Sequence, residues 1–298
     1  MKEELVKLID VIIEFKNTLV DMFIESSNFI DNQELMESFI QEKVKEFEET
    51  GNDIFGGKSP KEIIGGIEDM NMALQMFELM CRKSDYIPDV VTDKVKSFGN
   101  EVADILLNKI NPDTIANYDL NSPKLSKDIM EEMESYIGIL HIFRDKSFGG
   151  AIVSKTFVEL VKVCNPSNQM FLEYISEVLS KRIEESQTFV IECIASSDEI
   201  GENEEYLLDS LCGIDDEYKN DDIYRCLKNS FLNMPNHALG AVFLGDYGDA
   251  RAIPCMRKFA MKNLGVCTMD EYYTILATIE KLGGIIEDLL PDAGLKGY

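Results

Sequence analysis

Four features of this chain could carry chemistry: a glycine-rich string with a lysine, a dense run of carboxylates, two histidines and seven cysteines. Gly56-Gly57-Lys58-Ser59 invites a phosphate-cradling loop, in which backbone N–H groups and a lysine hold the phosphates. Gly51 and Gly56 have the required separation, but Gly57 stands where the lysine belongs. Pro60 follows at once and no strand precedes, so the string reads as a helix start. Ser59 caps it, Pro60 suits the first helical position, and Glu62 closes a capping box.

The carboxylates crowd between Asp198 and Asp222: Asp198, Glu199, Glu202, Glu204, Glu205, Asp209, Asp215, Asp216, Glu217, Asp221 and Asp222, against the single base Lys219. A calcium loop starting at Asp215 requires Gly at its sixth position and Glu at its twelfth, where this chain has Asn220 and Cys226. The run therefore reads as two solvated turns between helices, with Asp221 and Asp222 favourably placed at a helix start. Loose binding of a divalent cation is the alternative.

His141 lies among Ile137, Ile139, Leu140, Ile142 and Phe143 and reads as a core or interface residue. His237 follows Pro235-Asn236 at a helix start and is expected to pair with nearby acids. Cys226 and Cys255 with His237 have the donor types of a zinc site. No Cys-x-x-Cys exists, however, and these cysteines fall in core positions. Cys81, Cys164, Cys193, Cys212, Cys226, Cys255 and Cys267 are odd in number and scattered, which is the usage of reduced thiols in a cytoplasmic protein. Gly-x-Ser-x-Gly and His-Glu-x-x-His are absent. No catalytic, cofactor-binding or metal-ligating residue is assigned, and no cofactor is implied.

The elements that must carry these residues are helices. Pro numbers 8 in 298 residues, Trp is absent, and runs of Leu, Ile, Glu and Lys dominate. Leu5, Leu8, Ile9, Ile12, Ile13 and Phe15 predict a first amphipathic helix ending near Ile24, and a second runs from about Gln33 to Glu49. After the Gly51–Gly57 break come a short helix to about Ile67 and a longer one to about Met80. Residues 1–82 thus form an N-terminal helical region. From 83 to 298 the pattern is of helical hairpins, with a weak boundary at 111–123, the longest polar and loop-rich interval. Val90, Val91, Val95 and Phe98 line one helix, Gly99 turns the chain, and Val102, Ile105, Leu106 and Ile110 line the next. Helices follow over about 126–144, 150–163, 168–181 and 185–196.

Repetition is clearest at the C-terminal end. Tyr206, Leu207, Leu211 and Cys212 lead into Ile223, Cys226, Leu227 and Phe231; Leu239, Val242 and Phe243 lead into Ile253, Met256, Phe259 and Ala260. A third pair starts at Tyr272, and Gly283-Gly284 ends it before a short closing cap. Leucines followed by a small residue mark helix ends at Leu211, Leu244 and Leu282, spaced 33 and 38 residues apart. Such periods suit two helices plus turns, the pattern of an α-solenoid.

The run Leu244-Gly-Asp-Tyr-Gly-Asp-Ala-Arg-Ala-Ile-Pro254 resembles HEAT repeats of the short bacterial type first described in phycobilin lyases. Their pattern is roughly Ala-x-x-Leu-Gly-x-x-Gly-Asp-x-Arg-Ala-x-x-x-Leu. Ala241, Leu244, Gly245, Gly248, Asp249, Arg251 and Ala252 fit it, with Met256 in the final leucine position. Residues 86–110 and 203–232 resemble it more loosely, and 1–80 do not. The resemblance implies an all-α fold: a right-handed superhelix of antiparallel hairpins. Gly248 and Asp249 would form the turn, Asp249 would cap the next helix, and the helices flanking this turn would pack as a pair. Those are fold-making roles, so the resemblance implies architecture rather than chemistry.

Charge narrows the functional classes. With 29 basic and 55 acidic residues the net charge is −26, which disfavours nucleic-acid and anionic-membrane binding unless Lys and Arg are strongly segregated. No apolar run approaches the roughly 20 residues that span a bilayer, and Met1-Lys-Glu-Glu-Leu5 carries acids where a secretory leader is basic. The first reading is a non-catalytic scaffold for protein–protein interaction, its partner basic or an amphipathic helix. The alternative is a small-ligand binder or lyase-type enzyme on the same helices. The third is an acidic mimic of nucleic acid.

Overall fold

A computed structural model describes residues 3–26, 33–84, 86–119 and 122–290. Every regular element in them is helical, with no strand among the described residues. None of these helices is long and apolar enough to cross a membrane. The chain groups into two compact units, Met1–Asn111 with Pro123–Phe143, and Pro112–Ser122 with Arg144–Tyr298.

The first unit holds α1 (Glu3–Ser26), α2 (Gln33–Glu49), α3 (Pro60–Gly65), α4 (Met70–Lys83), α5 (Asp89–Lys96), α6 (Asn100–Lys109) and, after the chain has left and returned, α8 (Lys127–Ile142). The expected start at Ser59 is realised: its hydroxyl accepts from the Glu62 N–H at 3.2 Å, and the Glu62 carboxylate accepts from the Ser59 N–H at 2.8 Å. This satisfies two orphan donors at the start of α3, so Gly56-Gly57-Lys58-Ser59 is used as a helix cap. α1 packs on α2 and α4, and α4 on α5 and α8. Phe15 stacks on Phe47 with ring centroids 4.3 Å apart, beside Leu19, Ile40 and Val44. Each such side chain removed from water contributes about 1.5–3 kcal/mol before entropy is counted.

The compact units do not divide at 82/83, because α8 lies against α4. The approach is close enough that a Cβ on Gly138 would stand 2.3 Å from the Cys81 Sγ, so only glycine fits. The polar interval 111–123 is also not all loop. It contains α7 (Pro112–Asn117), which belongs to the second unit and packs on α9; Leu120 and Asn121 lie outside the described residues.

The second unit continues with α9 (Ala151–Val163), α10 (Gln169–Lys181), α11 (Ile183–Ser196), α12 (Glu202–Asp209), α13 (Asp221–Asn233), α14 (His237–Tyr247), α15 (Ile253–Asn263) and α16 (Met269–Lys281), closed by a 3-10 turn at Glu287–Leu289. Side-chain caps set three of these eight starts: Asn220, Asn236 and Thr268 accept N–H groups of α13, α14 and α16. α9 packs on α11 and α11 on α13, while α10 packs on α12 and α14 on α16. Four pairs two helices apart thus meet, alongside sequential pairs such as α9–α10, α10–α11, α13–α14 and α15–α16. Side-chain hydrogen bonds keep the same interval: Ser176 to Asp209, Asn220 to Gln187 and Arg144 to Glu177 all join residues 33 apart.

One expected pairing is corrected. The helices flanking the Gly248 turn share little backbone contact, and His237 meets Phe259 between them, ring centroids 4.4 Å apart. The close backbone neighbours of α14 are α13 and α16. Two notches explain this. A Cβ on Gly240 would fall 2.9 Å from the Phe231 Cα on α13, and one on Gly245 would fall 2.7 Å from the Thr278 Cγ2 on α16. Leu244 is likewise not a helix end: α14 runs on to Tyr247, and the Gly248 N–H, in the left-handed conformation, returns to the Leu244 carbonyl at 3.1 Å.

Candidate functional site

The acidic turn Asp215–Asp222 and the Gly248 turn, Asp246–Arg251, are brought together by the fold. Asp249 accepts the Arg251 backbone N–H at 2.9 Å and holds its guanidinium at 2.8 and 2.6 Å. Arg251 also reaches Asp221 at 2.7 Å and lies 4.4 Å from the Tyr224 ring centroid. These contacts hold the Asp249 and Asp221 carboxyls below the usual carboxylate range, with the hydrogen bonds to Arg251 as the largest cause. Behind them the Tyr247 hydroxyl donates to the Asn220 carbonyl and accepts from the Asn220 N–H, each at 2.9 Å. Lys219 pairs with Asp216 at 2.7 Å and Lys281 with Asp246 at 2.6 Å. Much of this acidity is therefore neutralised in joining one turn to the next, and Asp221 and Asp222 stand in the first turn of α13 as the sequence implies.

The donors considered for zinc are not assembled. Cys226 is buried and Cys255 half-buried. His237 Nδ1 sits 2.7 Å from the Phe231 carbonyl, rather than pairing with an acid. No group of three or more His, Cys, Asp or Glu side chains among the described residues is arranged to hold a metal ion. Burial lifts the thiols of Cys81 and Cys164 to about 12 and that of Cys226 to about 11, so they are neutral core groups.

What the second unit does offer is open grooves. The first, about 660 Å³, lies across α10, α12 and α14 and is lined by Pro166, Gln169, Glu173, Glu202, Glu205, Tyr206, Asp209, Asn236, Leu239 and Phe243. Four of these are carboxylates. None of the four has a lysine or arginine in ion-pair range among the described residues; Asp209 accepts from the Ser176 hydroxyl at 2.7 Å. Burial, and then the charge of Glu202, pushes the Glu205 carboxyl upward. Burial and the surrounding carboxylates do the same to the Tyr206 phenol. Here the negative charge is uncompensated.

A groove of about 800 Å³ between α11 and α13 is mixed: Glu192, Asp198, Glu199, Asp222 and Arg225 line it together with buried Ile194 and Cys226 and exposed Asn229. A third, about 550 Å³, runs between α13 and α15 and has the opposite sign. Lys228, Arg251, Lys258 and Lys262 line it with Leu232, Cys255 and Phe259, and no carboxylate is among its lining residues.

Sequence reasoning found the acidic turns but not this basic groove. A signal existed. From Ile223 to Met269 the chain has six cations (Arg225, Lys228, Arg251, Arg257, Lys258, Lys262) and two acids, Asp246 and Asp249, within a total charge of −26. The segregation of Lys and Arg named as the exception to a uniformly acidic surface is present, at one place. Fold and grooves together define an all-helical protein, over the described residues, with charged troughs in its second unit. No protein-family model, curated protein or solved structure matches the chain.

Proposed function

We propose that this protein is a non-catalytic scaffold for protein–protein interaction, built as an α-solenoid of HEAT-like hairpins, and that the trough across α10, α12 and α14 receives a basic segment or a Lys/Arg-bearing amphipathic helix of its partner. The observation that carries the reading is the set Glu173, Glu202, Glu205 and Asp209 converging on one groove without a cation. Tyr206, Leu239 and Phe243 give the same groove an apolar wall for the other face of a helix. The solenoid reading draws support from helices that meet their next-but-one neighbours and from polar contacts recurring 33 residues apart.

An amphipathic Lys/Leu peptide tests the reading by calorimetric titration at low and high salt. Binding that weakens with salt is expected. The pair Glu173→Gln with Glu205→Gln is expected to reduce it by about tenfold, the worth of one or two desolvated charge contacts. Equal binding by parent and variant would defeat the assignment of this groove. A small-ligand reading attaches instead to the α11–α13 groove, whose volume of about 800 Å³ and mixed lining suit a compact polar ligand. Stabilisation by a small-molecule panel, abolished by Asn229→Leu, would favour it.

A further inference from the structure

We propose that the groove between α13 and α15 is a second docking site, of opposite polarity, taking an acidic segment with an apolar anchor from a partner protein. This does not rest on the acidic trough: the residues differ, the helices differ except for their common unit, and the charge is reversed.

The argument starts from unspent charge. Of the four cations lining the groove, Arg251 is committed to Asp249 and Asp221. Lys228, Lys258 and Lys262 have no ion-pair partner among the described residues. This is unusual in a chain where acids outnumber bases 55 to 29. Lys258 and Lys262 are four residues apart on α15, so both lie on one face of that helix, and Lys228 faces them from α13. Three like charges held around one groove repel one another, and a ligand with carboxylates relieves that repulsion.

Apolar surface completes the site. Leu232 is 43% exposed on the α13 side, and Phe259 lies half-buried opposite, backed by Phe231 at 5.1 Å between ring centroids. An acidic peptide with one leucine-like side chain matches lysines at the rim and carbon at the floor. A nucleic-acid strand fits less well. It lacks the apolar anchor, and over its length it meets the repulsion of a protein with a charge of −26, whereas a short acidic segment meets mainly the local lysines within a Debye length of about 8 Å.

The test is fluorescence anisotropy on the full chain, using a labelled Glu/Leu helical peptide and, separately, a labelled single-stranded oligonucleotide. The peptide is expected to bind at low salt. Lys258→Glu with Lys262→Glu should weaken it by about tenfold or more, and Leu232→Ser by a smaller factor. Lys258→Arg with Lys262→Arg should bind as the parent does, because the charge is kept. Lys155→Glu with Lys181→Glu, exposed on α9 and α10 and outside the groove, changes the net charge equally and should leave binding unchanged. Equal loss in this control pair would overturn the site in favour of the general field of the protein. Failure of the peptide to bind would overturn it outright, and binding of the oligonucleotide alone would replace it with a phosphate site. Thermal melts of each variant separate loss of binding from loss of fold.

Discussion

Arg182 and Glu48 are both ionisable side chains withdrawn from water, one in each unit, and they are treated in opposite ways. Arg182, at the corner between α10 and α11, is 1% exposed. Its guanidinium donates to the carbonyls of Asp145 at 2.8 Å, Phe148 at 3.0 Å and Gly150 at 3.0 Å, and to the Glu185 carboxylate at 2.7 Å. Glu48, near the end of α2, is 5% exposed, and its Oε1 finds no hydrogen-bond partner among the described residues. Lys61, the cation that favours its charge, is 2.9 Å from Glu49 instead. Burial, followed by the charges of Asp89 and Asp93, pushes the Glu48 carboxyl from 4.5 to about 7. A buried charge surrounded by aimed donors or acceptors organises its neighbours. One without them surrenders its charge.

The largest effect is expected at Arg182. Three of its partners are backbone carbonyls of the 145–150 segment, so Arg182→Ala removes the charge and also strands buried acceptors. A loss of about 3–5 kcal/mol from the second unit is expected, read as a lower denaturant midpoint and faster amide exchange across 145–150. Arg182→Met should recover little of it, because a thioether fills the space but donates nothing to those carbonyls. If the Met variant is as stable as the parent, Arg182 is a space-filler and the comparison collapses.

Glu48 should respond with the opposite sign. The folded carboxyl keeps its proton up to about pH 7, while the unfolded one releases it near 4.5. Between those values the folded state binds more protons, so the stability of the first unit falls as pH rises through this window and stays low above it. Glu48→Gln removes the titration. It should leave stability at pH 4 nearly unchanged and raise it at pH 8 by about 1–3 kcal/mol, flattening the profile. A destabilised Gln variant at pH 8 would mean that the ionised carboxylate has partners in solution.

Neither side chain stands out in the sequence. Lys181-Arg182 looks like any basic helix end, and Glu48 is one of three glutamates in Glu46-Phe-Glu-Glu49. The helices themselves were legible, because Leu, Ile and Val recur at helical spacing and Ser59, Gly99, Asp249 and Pro254 punctuate them with ordinary cap and turn chemistry. What stayed hidden depends on contacts between distant segments. α14 is placed by glycines at 240 and 245, which in a single helix read only as weak helix formers. α7 was concealed in a polar interval because its stability comes from α9 and from Asn165, whose N–H reaches the Ile115 carbonyl at 2.8 Å. The basic groove was masked by averaging, since a sum of −26 conceals a stretch with more cations than acids.

The smallest effects belong to the joined turns, where the same contrast recurs at the surface. Tyr247 is 1% exposed and its hydroxyl serves both the N–H and the carbonyl of Asn220. Tyr247→Phe should therefore cost about 1 kcal/mol, independent of salt, because two backbone groups lose a dry partner. Arg251 makes more contacts than Tyr247, with two carboxylates and a ring, yet its side chain is 55% exposed. Water and salt compete for each of those charges, so Arg251→Gln should lower the melting temperature by less than Tyr247→Phe does, and the difference from the parent should vanish at high salt. Melting curves of the two variants at low and high salt decide the matter. If Arg251→Gln proves the more damaging and stays so in salt, the exposed Gly-Asp-x-Arg clamp, rather than the buried tyrosine, is what ties α13 to the turn before α15.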